Sequence, residues 1–226
     1  MDILGPLKNR HYVLTCLDQF SKHLELYPLT KITSDAVTNH LFSYISTHGR
    51  PALILCDLGS QFISEVFHTF NNSLGIKLIH ASSARAQCNG QSERINTAIK
   101  STILALEEEG HSFFNALRIH KNLYNGSIHS SSGFTPNQLH FGRNLSLIFD
   151  TFQPDIEPIQ LNKTQYLSHV LTSLNKYYKD AYLNLGRKQV EENNKHNVNA
   201  KARNLKKNSL VYLKSKDKFK SKHTGL

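Results

Sequence analysis

Cysteine is scarce in this chain of 226 residues: Cys16, Cys56 and Cys88 are odd in number and lie far apart. That excludes a disulfide framework and a paired Cys-x-x-Cys zinc site, and leaves core or incidental thiols. Long apolar runs are missing too, since no segment approaches the roughly 18 unbroken apolar residues of a membrane span. The opening "MDILGPLKNR" lacks the charged and apolar regions of a signal peptide. A soluble intracellular chain with no membrane partner is expected. Histidine is plentiful at 13, yet none stands at HExxH spacing or beside a cysteine pair, so no zinc motif is expected either. No internal repeat is visible. The 39% hydrophobic content is enough to bury the core of at least one compact domain.

Acidic residues run short in one place only. Of 27 Lys+Arg and 17 Asp+Glu, residues 1–162 hold 12 and 13, whereas residues 163–226 hold 15 and 4. The net charge of +10 therefore resides in the last quarter of the chain. Such a segment has the footprint of a polyanion binder, because each lysine or arginine placed on a phosphate releases a counterion. A basic tail that only keeps the protein soluble is the plainer alternative. The candidate nucleic-acid contacts in this segment are Arg187, Lys188, Lys201, Arg203, Lys206 and Lys207.

Along the chain, "YVLTCL" and "LELYPL" read as a hairpin over residues 11–29. Thr33 or Ser34 then caps a helix carrying Val37, Leu41, Tyr44 and Ile45 until Gly49 and Pro51 stop it. "ALILC" reads as a strand buried on both faces and ending at Asp57. A second helix presents Val66, Phe67, Phe70 and Leu74, followed by the strand "IKLI". Residues 81–92 read as a polar loop, and the next helix, opened by Glu93, puts Ile95, Ile99, Ile103 and Leu106 on one face. Glu93 lies off that stripe. Residues 111–143 read as helical and looped, 150–160 as a linker, 167–185 as an amphipathic helix, and "SLVYLK" at 209–214 as a strand.

Strands followed by alternating helix and strand predict a mixed α/β sheet whose ligands meet at one edge. Three acids are placed to meet there: Asp2 in a short extended segment, Asp57 at a strand end, and Glu93 after the loop. Taken singly, each has a bland explanation, because aspartates often end strands and glutamates often open helices. Together, oxygen ligands without imidazole or thiolate favour Mg²⁺ or Mn²⁺, and a pair of such ions suits in-line displacement at phosphorus.

The sequence resembles the catalytic core of a retroviral-type integrase, closest to those of gypsy-type LTR retrotransposons, as a fragment of a longer protein. "MDILGPL", "LDQFSKHLELYPL", "HGRPALILCDLGSQF", "AQCNGQSERIN" and "YNGSIHSSSGFTPNQLHFGR" carry the likeness, and 35 residues separate Asp57 from Glu93. That gap defines the family's acidic triad. The resemblance implies a ribonuclease-H-like fold, a five-stranded mixed sheet flanked by helices, over residues 1–149. A linker at 150–162, a basic helical extension at 163–207 and the start of a small C-terminal β-barrel at 208–226 would follow. It also implies a nuclear, homo-oligomeric enzyme acting on element and target DNA. Asp2, Asp57 and Glu93 would hold two Mg²⁺ or Mn²⁺ ions for 3′-end processing and strand transfer. Asn89, Gln91 and Arg94 would contact DNA, and Asp18, a rival acid, is assigned to structure.

The chain also departs from the family pattern. Ala84 and Ala86 stand where an aromatic and a proline are usual, and Leu58 stands for a polar residue after the second aspartate. The Cys/His zinc domain expected upstream is not in the sequence. These departures keep a second expectation open, a domesticated or degenerate integrase-like protein that binds nucleic acid without catalysis.

Overall fold

The structure, a computed structural model, describes residues 1–80, 86–145 and 162–197, with side-chain detail excluding positions 9, 86–92, 196 and 197. The expected linker at 150–160, the strand at 209–214 and the basic residues Lys201, Arg203, Lys206 and Lys207 lie outside the described residues. Met1–Lys188 form one compact unit and Gln189–Leu226 a second.

The predicted hairpin is present as β2 (Tyr12–Leu17) and β3 (Leu24–Leu29), antiparallel, with β1 (Asp2–Leu4) on the other side of β2. Side chains on β2 alternate between two cores, as period-two geometry requires. Val13 joins one buried cluster with Leu24, Leu26, Ile99, Ile103 and Phe113, while Leu14 and Cys16 join another with Val37, Leu41, Ile54 and Phe67. The apolar run "YVLTCL" is thus explained by a sheet covered on both faces.

The first covering layer is α1 (Ser34–His48) with the α2 (Ser60–Ile63) and α3 (Glu65–Ser73) pair. Thr33 caps α1 by accepting from the Ala36 N–H, and Gly49, at φ 85°, ends it. The pair α2 and α3 forms the crossover between the parallel strands β4 (Leu53–Cys56) and β5 (Lys77–His80). The second layer is α4 (Ala86–Glu108) and α5 (Phe113–Gly126). Asn125, buried at the end of α5, accepts from the Leu24 N–H and donates to the Leu24 carbonyl, both at 2.8 Å. One side chain so satisfies both backbone groups at the start of edge strand β3.

The structure differs from the sequence reading at three points. The single five-stranded sheet is present as a three-stranded and a two-stranded ladder. They meet where the Met1 amino group donates to the Leu55 carbonyl at 2.6 Å, and the Leu14 cluster takes side chains from both. With three residues, β1 spends its ladder on β2 and reaches β4 through this terminal amine.

The second difference is β4, which is not buried on both faces: Ile54 and Cys56 are buried, but Leu53 is 44% exposed. Among the described residues, the buried cluster under α4 and α5 contains residues of β2 and β3 and none of β4. Val66 is likewise 49% exposed, because α3 turns Phe67 and Asn71, four apart, to the core.

The third concerns α4, which begins at Ala86, so Glu93 does not open the helix but stands about two turns inside it. Asn89-Gly90 reads as a turn signal. A glycine costs a helix only about 1 kcal/mol, however, and the helix-forming residues on both sides continue the hydrogen-bond ladder through it.

The amphipathic helix is present as α7 (Lys163–Asn197), with its apolar stripe covered over part of its length. Ala181 is fully buried, the Tyr177 ring lies 5.4 Å from Phe134, and Asn184 donates to the Ser132 carbonyl at 2.8 Å, whereas Leu167 and Leu171 are exposed. Gly142 ends α6 (Pro136–Phe141) at φ 73°, where a Cβ would come within 2.8 Å of Leu174 on α7. Only glycine suits both the left-handed backbone and that approach.

Candidate functional site

Asp2 is half-buried on β1, opposite Thr15 of β2. One of its carboxylate oxygens accepts from the Ile3 N–H and the other from Asn96 Nδ2, both at 2.8 Å. Asn96 lies three residues beyond Glu93 on α4, and residues three apart share a helix face. The Asp2–Asn96 bond therefore brings the helix face that carries Glu93 to β1. Sequence reasoning missed Asn96, although its i+3 spacing from Glu93 was the available signal.

Asp57, exposed, follows the last residue of β4, and its carboxylate accepts from the Gly59 N–H at 3.0 Å. The turn is held from β5 by His80 Nδ1, 3.2 Å from the Asp57 carbonyl oxygen. The Met1 bond to Leu55 places the residue before Asp2 beside β4, two residues before Asp57. Glu93 is exposed, off the Ile99 and Ile103 stripe as expected. Each acid thus sits at or beside a link between β1, β4 and α4.

Asn89 and Gln91 fall on α4, and their side chains lie outside the described ones. Arg94 is exposed on α4, and Arg187 and Lys188 are exposed on α7. Asp18 closes its own turn instead: its Oδ1 accepts from the Ser21 N–H and hydroxyl, both at 2.6 Å, and from the Phe20 N–H at 3.2 Å. That is the behaviour of a turn-forming aspartate. Two thiols behave as core groups, burial pushing Cys16 up to about 12 and Cys56 up to about 11.

The residue types fit hard cations. Asp2 keeps lone pairs beyond its two hydrogen bonds. Beside it, Asn96 Oδ1 is buried without a hydrogen-bond partner among the described residues, and the three acids offer oxygen alone.

A second constellation was not expected. His23 precedes β3, His48 ends α1, and His140 lies in α6, yet one ring nitrogen from each lies within 4.8 Å of the others. His48 Nδ1 and His140 Nε2 are 2.7 Å apart, and His48 Nε2 is 3.5 Å from Glu25 Oε1. Lys121 holds the other Glu25 oxygen at 2.9 Å. Burial, and then the neighbouring His140 and His48, lowers His23 to about 3, while His48 and His140 are also lowered, chiefly by burial. Each shift favours the neutral imidazole.

Residues 1–86 match the family model described as integrase core domain; they include Asp2 and Asp57, and Glu93 lies beyond them. An uncharacterized protein of Caenorhabditis elegans is 31% identical over 170 residues, 74% of this chain and 13% of the relative. The Pro-Pol polyprotein of simian foamy virus type 3 is 30% identical over 146 residues, 63% of this chain and 13% of the relative. The retrovirus-related Pol polyprotein from transposon opus of Drosophila melanogaster is 26% identical over 140 residues, 61% of this chain and 14% of the relative. The chain thus spans about an eighth of the length of the curated relatives it matches.

Among solved structures, the HTLV-2 integrase catalytic core domain in complex with magnesium superposes with a TM-score of 0.52 at 24% identity, covering 62% of this chain and 95% of that one. That likeness shows the ribonuclease-H-like core fold with mixed α/β content. The first 86 residues match the integrase core domain, the relatives include retroviral and retrotransposon Pol polyproteins, and the fold is that of retroviral integrase cores.

Proposed function

We propose that this chain is the catalytic part of an LTR-retrotransposon integrase, a divalent-metal-dependent polynucleotidyl transferase that trims element DNA at its 3′ ends and joins them to target DNA. The observation that carries the reading is the Asp2–Asn96 hydrogen bond, which ties the first acid to the helix face bearing Glu93. Asp2, Asp57 and Glu93 would hold two Mg²⁺ or Mn²⁺ ions. Once bound, such ions supply Lewis acidity at the reacting phosphodiester. The chain's own part is positional: Asn96 and the Ile3 N–H fix the rotamer of Asp2, and the Gly59 N–H fixes that of Asp57.

DNA contact is assigned to the net positive residues 163–226, with Arg187 and Lys188 on α7, and to Asn89, Gln91 and Arg94, which share α4 with Glu93. Leu167, Leu171 and Tyr182, exposed on α7, support a homo-oligomer. The HTLV-2 core is described in a trimeric form. Work on chromosomal DNA assigns the protein to the nucleus. No described helix is long and apolar enough to cross a membrane.

Purified chain, incubated with Mn²⁺ and a labelled duplex carrying a recessed 3′ end, should give joined products that Glu93→Gln and Asp57→Asn both lack. Truncation after Asn162 should remove most of the salt-sensitive DNA binding. Equal joining by parent and both variants would overturn the assignment of the acids, and equal DNA affinity and salt slope in the truncated chain would overturn that of the basic segment.

A further inference from the structure

The nucleotidyl-transfer reading leaves one cluster of ligating side chains unused. We propose that His23, His48 and His140 bind a single divalent transition-metal ion of the zinc class, joining the β2–β3 turn, the end of α1 and the short helix α6. Their nitrogens lie within 4.8 Å of one another. A tetrahedral ion with bonds of about 2.0–2.1 Å keeps its ligands about 3.3 Å apart, so the rings must turn and draw together to close the site.

Three details go beyond proximity. Glu25 stands 3.5 Å from His48 Nε2, on the far side of the ring from His140. A proton on Nε2 facing this carboxylate leaves the Nδ1 lone pair pointing into the cluster, which is how metal-bound histidines are held in one tautomer. Glu25 is itself anchored by Lys121 at 2.9 Å. The second detail is His23, 3% exposed, whose Nδ1 is buried with no hydrogen-bond partner among the described residues. An unsatisfied buried nitrogen is costly, and a bond to an ion would satisfy it. Lastly, the 2.7 Å contact between His48 Nδ1 and His140 Nε2 is one N–H···N bond between neutral rings. Metal entry needs only that this proton move to Nδ1 of His140, with no change of net charge.

The local structure delivers these rings from rigid positions. His23 closes a turn in which Asp18 N–H donates to the His23 carbonyl at 2.9 Å. His48 is the last residue of α1 before Gly49. His140 rides on α6, which is fixed by a Thr135–Gln138 capping box at one end and by Gly142 at the other. Neutral imidazoles suit zinc, copper or nickel, and not the hard ions that suit the carboxylates. Three protein ligands leave the fourth position to water.

The test uses the full chain, stripped with chelator and titrated with Co²⁺. One ion per chain should bind with the intense visible bands of tetrahedral cobalt, zinc should displace it, and zinc should raise the melting temperature. His140→Gln should lose the bands and the thermal shift while its circular dichroism is unchanged, and Glu25→Gln should weaken binding by roughly 10–100-fold. The Asp57→Asn/Glu93→Gln double variant should keep the bands. Rings that merely stack, with His23 and His140 centroids 4.2 Å apart, predict no tetrahedral cobalt spectrum in the parent, and that result overturns the proposal. So does undiminished binding by His140→Gln, or loss of the spectrum in the carboxylate double variant.

Discussion

The acidic residues and the histidine cluster are built on opposite plans. Asp57 and Glu93 are exposed and offer oxygen, while Asp2 is half-buried and oriented by Asn96 and a backbone N–H. The histidines offer nitrogen from a closed setting in which the His23 residue and the His48 side chain are each 3% exposed. An exposed oxygen set can admit a charged phosphodiester and the ions that serve it. A buried nitrogen set can hold an ion or a packing arrangement, but it gives a polymer substrate no room. The difference separates a place for chemistry from a place that fixes the scaffold, and each variant below moves one without the other.

The largest effect belongs to Asp2→Asn. Removing one carboxylate from a two-ion set forfeits several kcal/mol of transition-state stabilisation, so Mn²⁺-dependent joining should fall by roughly 10³-fold. Cobalt binding by the histidines should be unchanged in the same preparation. A variant that joins DNA at the parent rate would remove Asp2 from the site.

Asn125→Ala comes next and acts on the other side of the comparison. Asn125 clamps both backbone groups of Leu24, which sits between His23 and Glu25. Stranding two buried backbone groups should cost about 2–4 kcal/mol in urea unfolding. It should also loosen the histidine cluster more than the acids, as a larger loss in cobalt affinity than in Mn²⁺ affinity. Equal losses would mean that β3 supports both sites alike.

Asn96→Ala should lower joining by roughly 10–100-fold, the usual cost of losing a group that orients a ligand, and weaken apparent Mn²⁺ affinity with it. Stability should change little, because Asn96 is only half-buried and its Oδ1 has no hydrogen-bond partner among the described residues. A fall in joining with no change in Mn²⁺ affinity would place Asn96 on the substrate instead of on Asp2.

The two regions were also unequally legible in the sequence. The placement of Asp57 at a strand end was legible because a strand end following "ALILC" is a local event, and that of Glu93 off the apolar stripe because helical spacing leaves it outside. The antiparallel hairpin and the α1 boundaries, Thr33 and Gly49, were legible for the same reason. The start of α4 was misread because Asn89-Gly90 is a strong turn signal in isolation, and the helix ran through it. The cover of β4 was misread because apolar content does not say which strand a distant helix lies over. The histidines were invisible: His48 lies 25 positions after His23 and His140 lies 92 positions after His48, so no spacing rule could join them. Only the fold brings a turn, a helix end and a six-residue helix to one point.

The smallest expected effect is a pH dependence that tells stacking from charge in the interior. His120, 6% exposed on α5, is lowered from its ordinary value of 6.5 by burial, and its Nε2 has no hydrogen-bond partner among the described residues. A folded value below the unfolded one means that the unfolded chain binds the extra proton first. Its stabilising contribution is therefore complete above about pH 6.5 and is lost as the pH falls toward the folded value. For one such group the slope is at most about 1.4 kcal/mol per pH unit. His23, His40, His48, His129 and His140 are lowered as well, so the parent should lose stability steadily between pH 7 and pH 5. His120→Phe keeps a ring in the space beside Tyr124 and removes the titrating nitrogen, so urea midpoints measured across that range should show a shallower slope with nearly the same stability at pH 7. An unchanged slope would mean that His120 stays neutral in the unfolded chain too or reaches water when folded. The acid response would then belong to the five other histidines, three of which form the cluster.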